Sequence, residues 1–153
     1  MYSLALGAHS ILRWLVILSG LAAAGRAVAS WSARYWTPAD DRAGLLFTIT
    51  LDVQILVGLV LYFFLSPIMT SSLSNFGAAM SNDVARFWAL EHPALMIGAL
   101  AFAHIGRARS KRGPEPARRH RRAAVAYILA LVAVLAAIPW PSLAYARPLV
   151  RLP

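Results

Sequence analysis

The sequence predicts an all-α fold, a bundle of four transmembrane helices with both termini on the periplasmic side, and three observations lead to it. Four apolar runs recur along the 153 residues, three of them close to the ~20 that a helix needs to cross a hydrocarbon core and the fourth shorter. Hydrophobic residues make up 59% of the chain and charged residues only 14%, which is too apolar for a water-soluble domain of this length. The net charge is +9, yet the basic residues gather in short connections between apolar runs, as the positive-inside rule expects. That distribution names the lipid bilayer as partner and speaks against nucleic acid, which calls for a basic face or stripe. With no cysteine there is neither a disulfide nor a thiolate metal site.

The chain reads as a single domain over 1–153. The first span covers about 4–25. It lacks a basic leading segment and a small-residue cleavage site, so it reads as a retained helix rather than a signal peptide. It carries His9 and Arg13 one turn apart. Ser30 to Trp36 mixes aromatics with arginine, the composition of a headgroup-level segment. Thr37-Pro38-Ala39-Asp40 then gives a hydroxyl cap, a proline at the first helical position and an acid three residues on, which starts the second span at 38–65.

Ser66-Pro67 ends that span, and Thr70 to Ser81 reads as a polar, small-residue loop. The third span, 82–106, starts with Ser81 or Asn82 as cap and Asp83 in its first turn. The fourth has its apolar part at about 123–138. It extends back to about 117 through arginines that snorkel, and it stops at Ile138-Pro139-Trp140-Pro141.

Orientation follows from counting basic residues. The connections after the first and third spans hold eleven, whereas the segment between the second and third spans and the tail, with Arg86, Arg147 and Arg151, hold three. Both termini are therefore expected outside the cytoplasm of a bacterium, with the protein multi-pass in its inner membrane. In this topology the first and third spans run parallel. His9 and His92 share a depth roughly 7 Å below the periplasmic boundary, at 1.5 Å per residue. Arg13 and Met96 lie one turn deeper, Glu91 adjoins His92, Trp140 closes the fourth helix on the same side, and Arg86 and Asp83 sit at the rim. Faces of small residues, Gly20 to Gly25 and Ala99, Ala101 and Ala103, permit close helix contact within the bundle or with a partner.

The order of several short motifs carries a resemblance. His9, Ser10, Arg13 and Trp14 are followed by Gln54, Gly58, Tyr62 and Phe63, by Ser66-Pro67, and by Arg86, Phe87, Glu91 and His92. Gly106, Arg107, Ser110 and Lys111 come next, and Ile138 to Pro141 complete the series. The chain resembles, from Tyr2 to about Arg147, a family of small four-helix bacterial membrane proteins often labelled cytochrome b-like. The resemblance implies the architecture more than a reaction. One departure is Asp52, at a position where members often carry histidine.

Three readings of the ionisable groups compete, because each is expensive inside a membrane and needs a partner or a purpose. The first is a structural polar cluster of His9, Arg13, Glu91 and His92, with Arg13 paired to Glu91. The second is a b-type cytochrome with haem b held by His9 and His92. The third is a quinone pocket built from Tyr62, Trp88, Glu91, His92 and Trp140, which supply an imidazole, an acid and aromatic walls. Asp52 reads as a buried carboxyl partnered by His104 or Arg26, and His104 and His120 read as interfacial or solvated. No phosphate loop, zinc spacing or arranged nucleophile is present, so no metal and no catalytic residue is expected. The expected role is an accessory, scaffolding subunit of a larger membrane electron-transfer complex, respiratory or photosynthetic, without catalysis of its own.

Overall fold

Prolines and caps set the helix boundaries. The structure is a computed structural model that describes residues 1–150. Arg151, counted above with the tail, lies outside the described residues. Helix α1 runs Tyr2–Ala29 and α2 runs Pro38–Val60. The start of α2 is the expected capping box: the Asp40 carboxylate accepts from the Thr37 backbone N–H at 2.8 Å, and the Thr37 hydroxyl accepts from the Asp40 N–H at 3.3 Å. A π turn, Leu61–Leu65, continues α2 to the end expected at 65. The segment expected as a loop is largely helical. Ser66 caps α3 (Pro67–Ser74) and Asn75 caps α4 (Phe76–Met80), because short polar side chains that favour turns also satisfy the free N–H groups of a new helix.

Asn82, not Ser81, caps α5 (Asp83–Arg86), which passes through a second π turn, Phe87–Glu91, into α6 (His92–Lys111). Helix α7 runs Pro116–Ala136. Both π turns precede a proline. Pro67 has no N–H for the Phe63 carbonyl and Pro93 has none for the Ala89 carbonyl, so the ladder slips by one residue. Ser66 N–H reaches the Leu61 carbonyl at 2.8 Å, and His92 N–H bonds the Phe87 carbonyl.

Among the described residues there is no strand. Helix α1 packs against α2 and α7, and α6 packs against α7 and α2. Three continuous helices, Tyr2–Ala29, Pro38–Leu65 and Asp83–Lys111, are long and apolar enough to cross a membrane. The fourth, α7, opens with Arg118, Arg119, Arg121 and Arg122 and is apolar only beyond them.

The interior is lined by small residues and a few large ones: Ala99, Ala103, Ala123 and Ala130 are fully buried beside Val16, Phe47 and Leu51. The small-residue faces are thus divided: Gly20, Ala23, Ala24, Ala99 and Ala103 are buried in helix contacts, whereas Ala22, Gly25 and Ala101 are exposed. A Cβ at Gly20 would lie 2.7 Å from Leu131 and 2.8 Å from Phe47, and one at Gly106 would lie 2.6 Å from the Ala126 methyl. The outside is apolar too. Leu18, Leu56, Ile97 and Val132 are each more than half exposed, an arrangement compatible with contact to lipid.

Candidate functional site

The end of the molecule where α1 starts and α7 finishes holds His9 and His92. Their rings meet edge to face with centroids 6.2 Å apart, at the common depth that the parallel course of α1 and α6 requires. Each is oriented by a backbone or amide partner. His92 Nδ1 donates to the Ala137 carbonyl at 2.8 Å, so in the neutral ring Nε2 keeps the lone pair. Gln54 Nε2 donates both to the His9 backbone carbonyl (3.1 Å) and to His9 Nε2 (3.2 Å), which puts the ring proton of neutral His9 on Nδ1. Gly58 makes room for this ring, since a Cβ there would lie 3.2 Å from His9 Cε1.

Proline decides which carbonyls are free to do this. The Ala137 carbonyl would be bonded by the N–H of residue 141 if α7 continued, but residue 141 is proline. His92 takes the place of that N–H. The Ala89 carbonyl, left free by Pro93, accepts from the Tyr62 hydroxyl at 2.8 Å, which ties the two π turns together. The Leu135 carbonyl, which Pro139 cannot serve, accepts from Trp140 Nε1 at 3.0 Å.

These elements enclose a cavity of about 150 Å³ lined by His9, Arg13, Gln54, Tyr62, Trp88 and His92 among others. The chain after α7 folds back over its mouth: Pro139, Arg147 and Pro148 line it, Tyr145 stacks on Phe87 at 3.6 Å, and Arg147 lies over the Trp88 ring at 5.4 Å. Arg13 Nη2 and Trp14 Nε1 both donate to the Leu149 carbonyl, which holds the strap down. Four buried polar atoms on the lining residues have no partner within the protein: His9 Nδ1, Arg13 Nε, Trp88 Nε1 and Gln54 Oε1. Three are N–H donors, and a buried donor left unpaired costs about 1–3 kcal/mol.

The expected residues thus divide. His9, Arg13, Tyr62, Trp88 and His92 converge on one cavity, whereas Glu91 and Trp140 do not line it. The expected Arg13–Glu91 pair is not formed. Glu91 accepts from Arg86 Nε at 2.7 Å, because the π turn between them brings residues five apart onto one side of the helix, and Arg86 also pairs with Asp83 at 3.0 Å. Arg13 bonds Ser10 and the strap instead. His104 Nε2 meets Asp52 at 2.7 Å, which leaves Arg26 to Asp40 at 2.8 Å. His120 is not solvated. It is 1% exposed, bonds the Tyr35 carbonyl through Nε2 and lies against Trp36 at 4.6 Å.

Gln54, Gly58 and the Ala137 and Leu149 carbonyls belong to the site without having been assigned a role from the sequence. A proline four residues beyond a carbonyl is the signal that could have pointed to Ala137 and Ala89. Haem does not fit this arrangement, although two imidazoles face each other: His9 Nε2 is held by Gln54, and a cavity near 150 Å³ is about the size that holds one benzene ring, not a macrocycle. Among the described residues no group of three or more histidines and carboxylates is placed to hold a metal ion. No family model, curated protein or solved structure matches the chain.

Proposed function

We propose that the chain is a four-helix integral protein of a bacterial inner membrane that holds the headgroup of a quinone or quinol near the periplasmic face. In this reading both termini are periplasmic, and the protein serves as an accessory subunit of an electron-transfer assembly, presenting the ring to a partner that carries out the redox step. The observation that carries the reading is the convergence of unpartnered N–H donors on His9, Arg13 and Trp88 with the His92 lone pair around one ring-sized apolar cavity. Carbonyl oxygens of a quinone accept from such donors, and a quinol hydroxyl donates to such a lone pair. The isoprenoid tail suits an apolar exterior. Most of the small-residue faces pack within the protein, so the accessory role rests on the ring site.

The test is a titration of purified protein with a short-chain quinone, read by quenching of tryptophan fluorescence near Trp88. Saturable binding that His92→Ala weakens and Glu91→Gln leaves alone is expected. Binding unchanged by His92→Ala would defeat the reading. So would a reduced-minus-oxidised spectrum with a haem band that His9→Ala or His92→Ala removes.

A further inference from the structure

The opposite end of the molecule carries a second hollow. It is a shallow, open groove on the surface of α6, lined by His104, Arg107, Ala108, Lys111 and Arg112. These positions recur at three- and four-residue steps, so they form one stripe along the last two turns of α6. His104 reaches across to Asp52 on α2 at 2.7 Å, which places the stripe beside the groove between the two helices.

Four of the eight other basic residues at this end have partners within the protein. Arg26 pairs with Asp40, Arg118 with Glu115 at 3.1 Å, and Arg119 bonds the Ser110 carbonyl and stacks on Trp36 at 4.3 Å. Arg121 lies over Trp31 at 5.9 Å. Among the described residues no carboxylate lies within 4.0 Å of Arg107, Lys111 or Arg112, as is also true of Arg34, Arg42, Arg109, Arg121 and Arg122; what sets the three apart is the groove they share. Arg107 Nη1 is buried with no partner in the protein, a donor on a charged fork held beside an open groove. Three cations sharing one groove repel each other unless an anion joins them, and a guanidinium fork beside an ammonium is the donor set that phosphate oxygens accept from. Their place in the final turns of a membrane-length helix puts them at headgroup level, where acyl chains can lie along the exposed apolar surface of α6 at Phe102 and Ile105.

We propose that Arg107, Lys111 and Arg112 form a binding site for the phosphate of an anionic phospholipid headgroup. The site is separate from the ring cavity and does not depend on what that cavity holds. The experiment is native mass spectrometry of the full chain in mild detergent, titrated with phosphatidylglycerol, with phosphatidylcholine and with inorganic phosphate. One saturable phosphatidylglycerol adduct is expected, and the triple change Arg107→Gln, Lys111→Gln, Arg112→Gln should weaken it roughly a hundredfold, at about fivefold per charge removed near a surface.

The change Arg118→Gln, Arg121→Gln, Arg122→Gln removes the same net charge and should weaken it far less. Equal losses in the two triple variants would overturn the proposal, because general attraction would then explain the binding. Equal binding of phosphatidylcholine would overturn it as well. Adduct formation by inorganic phosphate at the same concentrations would overturn the lipid assignment in favour of a free anion. Should the first triple variant not be recovered folded, Lys111→Gln and Arg112→Gln alone decide, each expected to cost about fivefold.

Discussion

Each end of the molecule buries a histidine that donates to a backbone carbonyl and lies against a tryptophan, yet the two histidines have different surroundings. His92 bonds Ala137 and touches Trp88 at 5.6 Å; His120 bonds Tyr35 and touches Trp36 at 4.6 Å. Around His120 two buried polar atoms also lack a partner, His120 Nδ1 and Trp36 Nε1, but the two rings lie against each other. Arg119 covers Trp36, the fully buried Ser110 sits nearby on α6, and a capping box and an ion pair fix the start of α2. Around His92 the chain holds prolines at 93, 139 and 141, which free carbonyls, slip one helix into a π turn and leave ring-sized room. A buried histidine is therefore not by itself a site. What makes one is a set of donors and acceptors that the protein leaves unpaired beside a space.

The sharpest way to break this comparison is to remove both histidines in turn. His92→Ala should weaken binding of a short-chain quinone by about 3 kcal/mol, since it removes the ring acceptor and leaves the Ala137 carbonyl unpaired. His120→Ala should leave that binding unchanged in the same fluorescence titration and lower stability instead, by about 2 kcal/mol in a denaturing-detergent titration, through an unpaired Tyr35 carbonyl and a cavity beside Trp36. If His120→Ala weakened quinone binding as much as His92→Ala, the two ends would not differ in the way argued here.

A smaller effect sharpens the role of proline. Tyr62→Phe leaves the Ala89 carbonyl without its partner and should destabilise the protein by about 1 kcal/mol. In a Pro93→Ala background the backbone N–H of residue 93 can take that carbonyl, so the tyrosine change should then cost little. An undiminished cost would show that the hydroxyl does not substitute for the missing N–H. The smallest effect belongs to Glu91→Gln. Its pair with Arg86 is exposed on both sides, so the loss of stability should be slight, with quinone affinity unchanged. A loss of several kcal/mol would instead fit the buried Arg13–Glu91 pair that the sequence suggested.

The long helices and the cap of α2 were legible in the sequence because they depend on near neighbours, whereas the short helices α3 and α4, in a segment expected as a loop, were not. Thr37 and Asp40 lie three residues apart and cap α2 as their spacing requires, and the apolar runs alone mark three membrane-length helices. The common depth of His9 and His92 was also legible, since it follows from counting residues along two helices of the same direction. Partners were not. A π turn is one slipped hydrogen bond, invisible in hydropathy, and it rotated Glu91 towards Arg86 and away from Arg13. The basic flanks of His120 suggested solvent, but Tyr35 and Trp36 fold over it from the connection between α1 and α2. The residues that close the ring cavity, Leu149 above Arg13 and Ala137 beside His92, lie 136 and 45 positions away from their partners. Composition and period settle which segments are helices because those are one-dimensional properties. Which donor meets which carbonyl is settled only once four helices and a strap are packed together, because a freed carbonyl takes whichever side chain the neighbouring helix brings within reach.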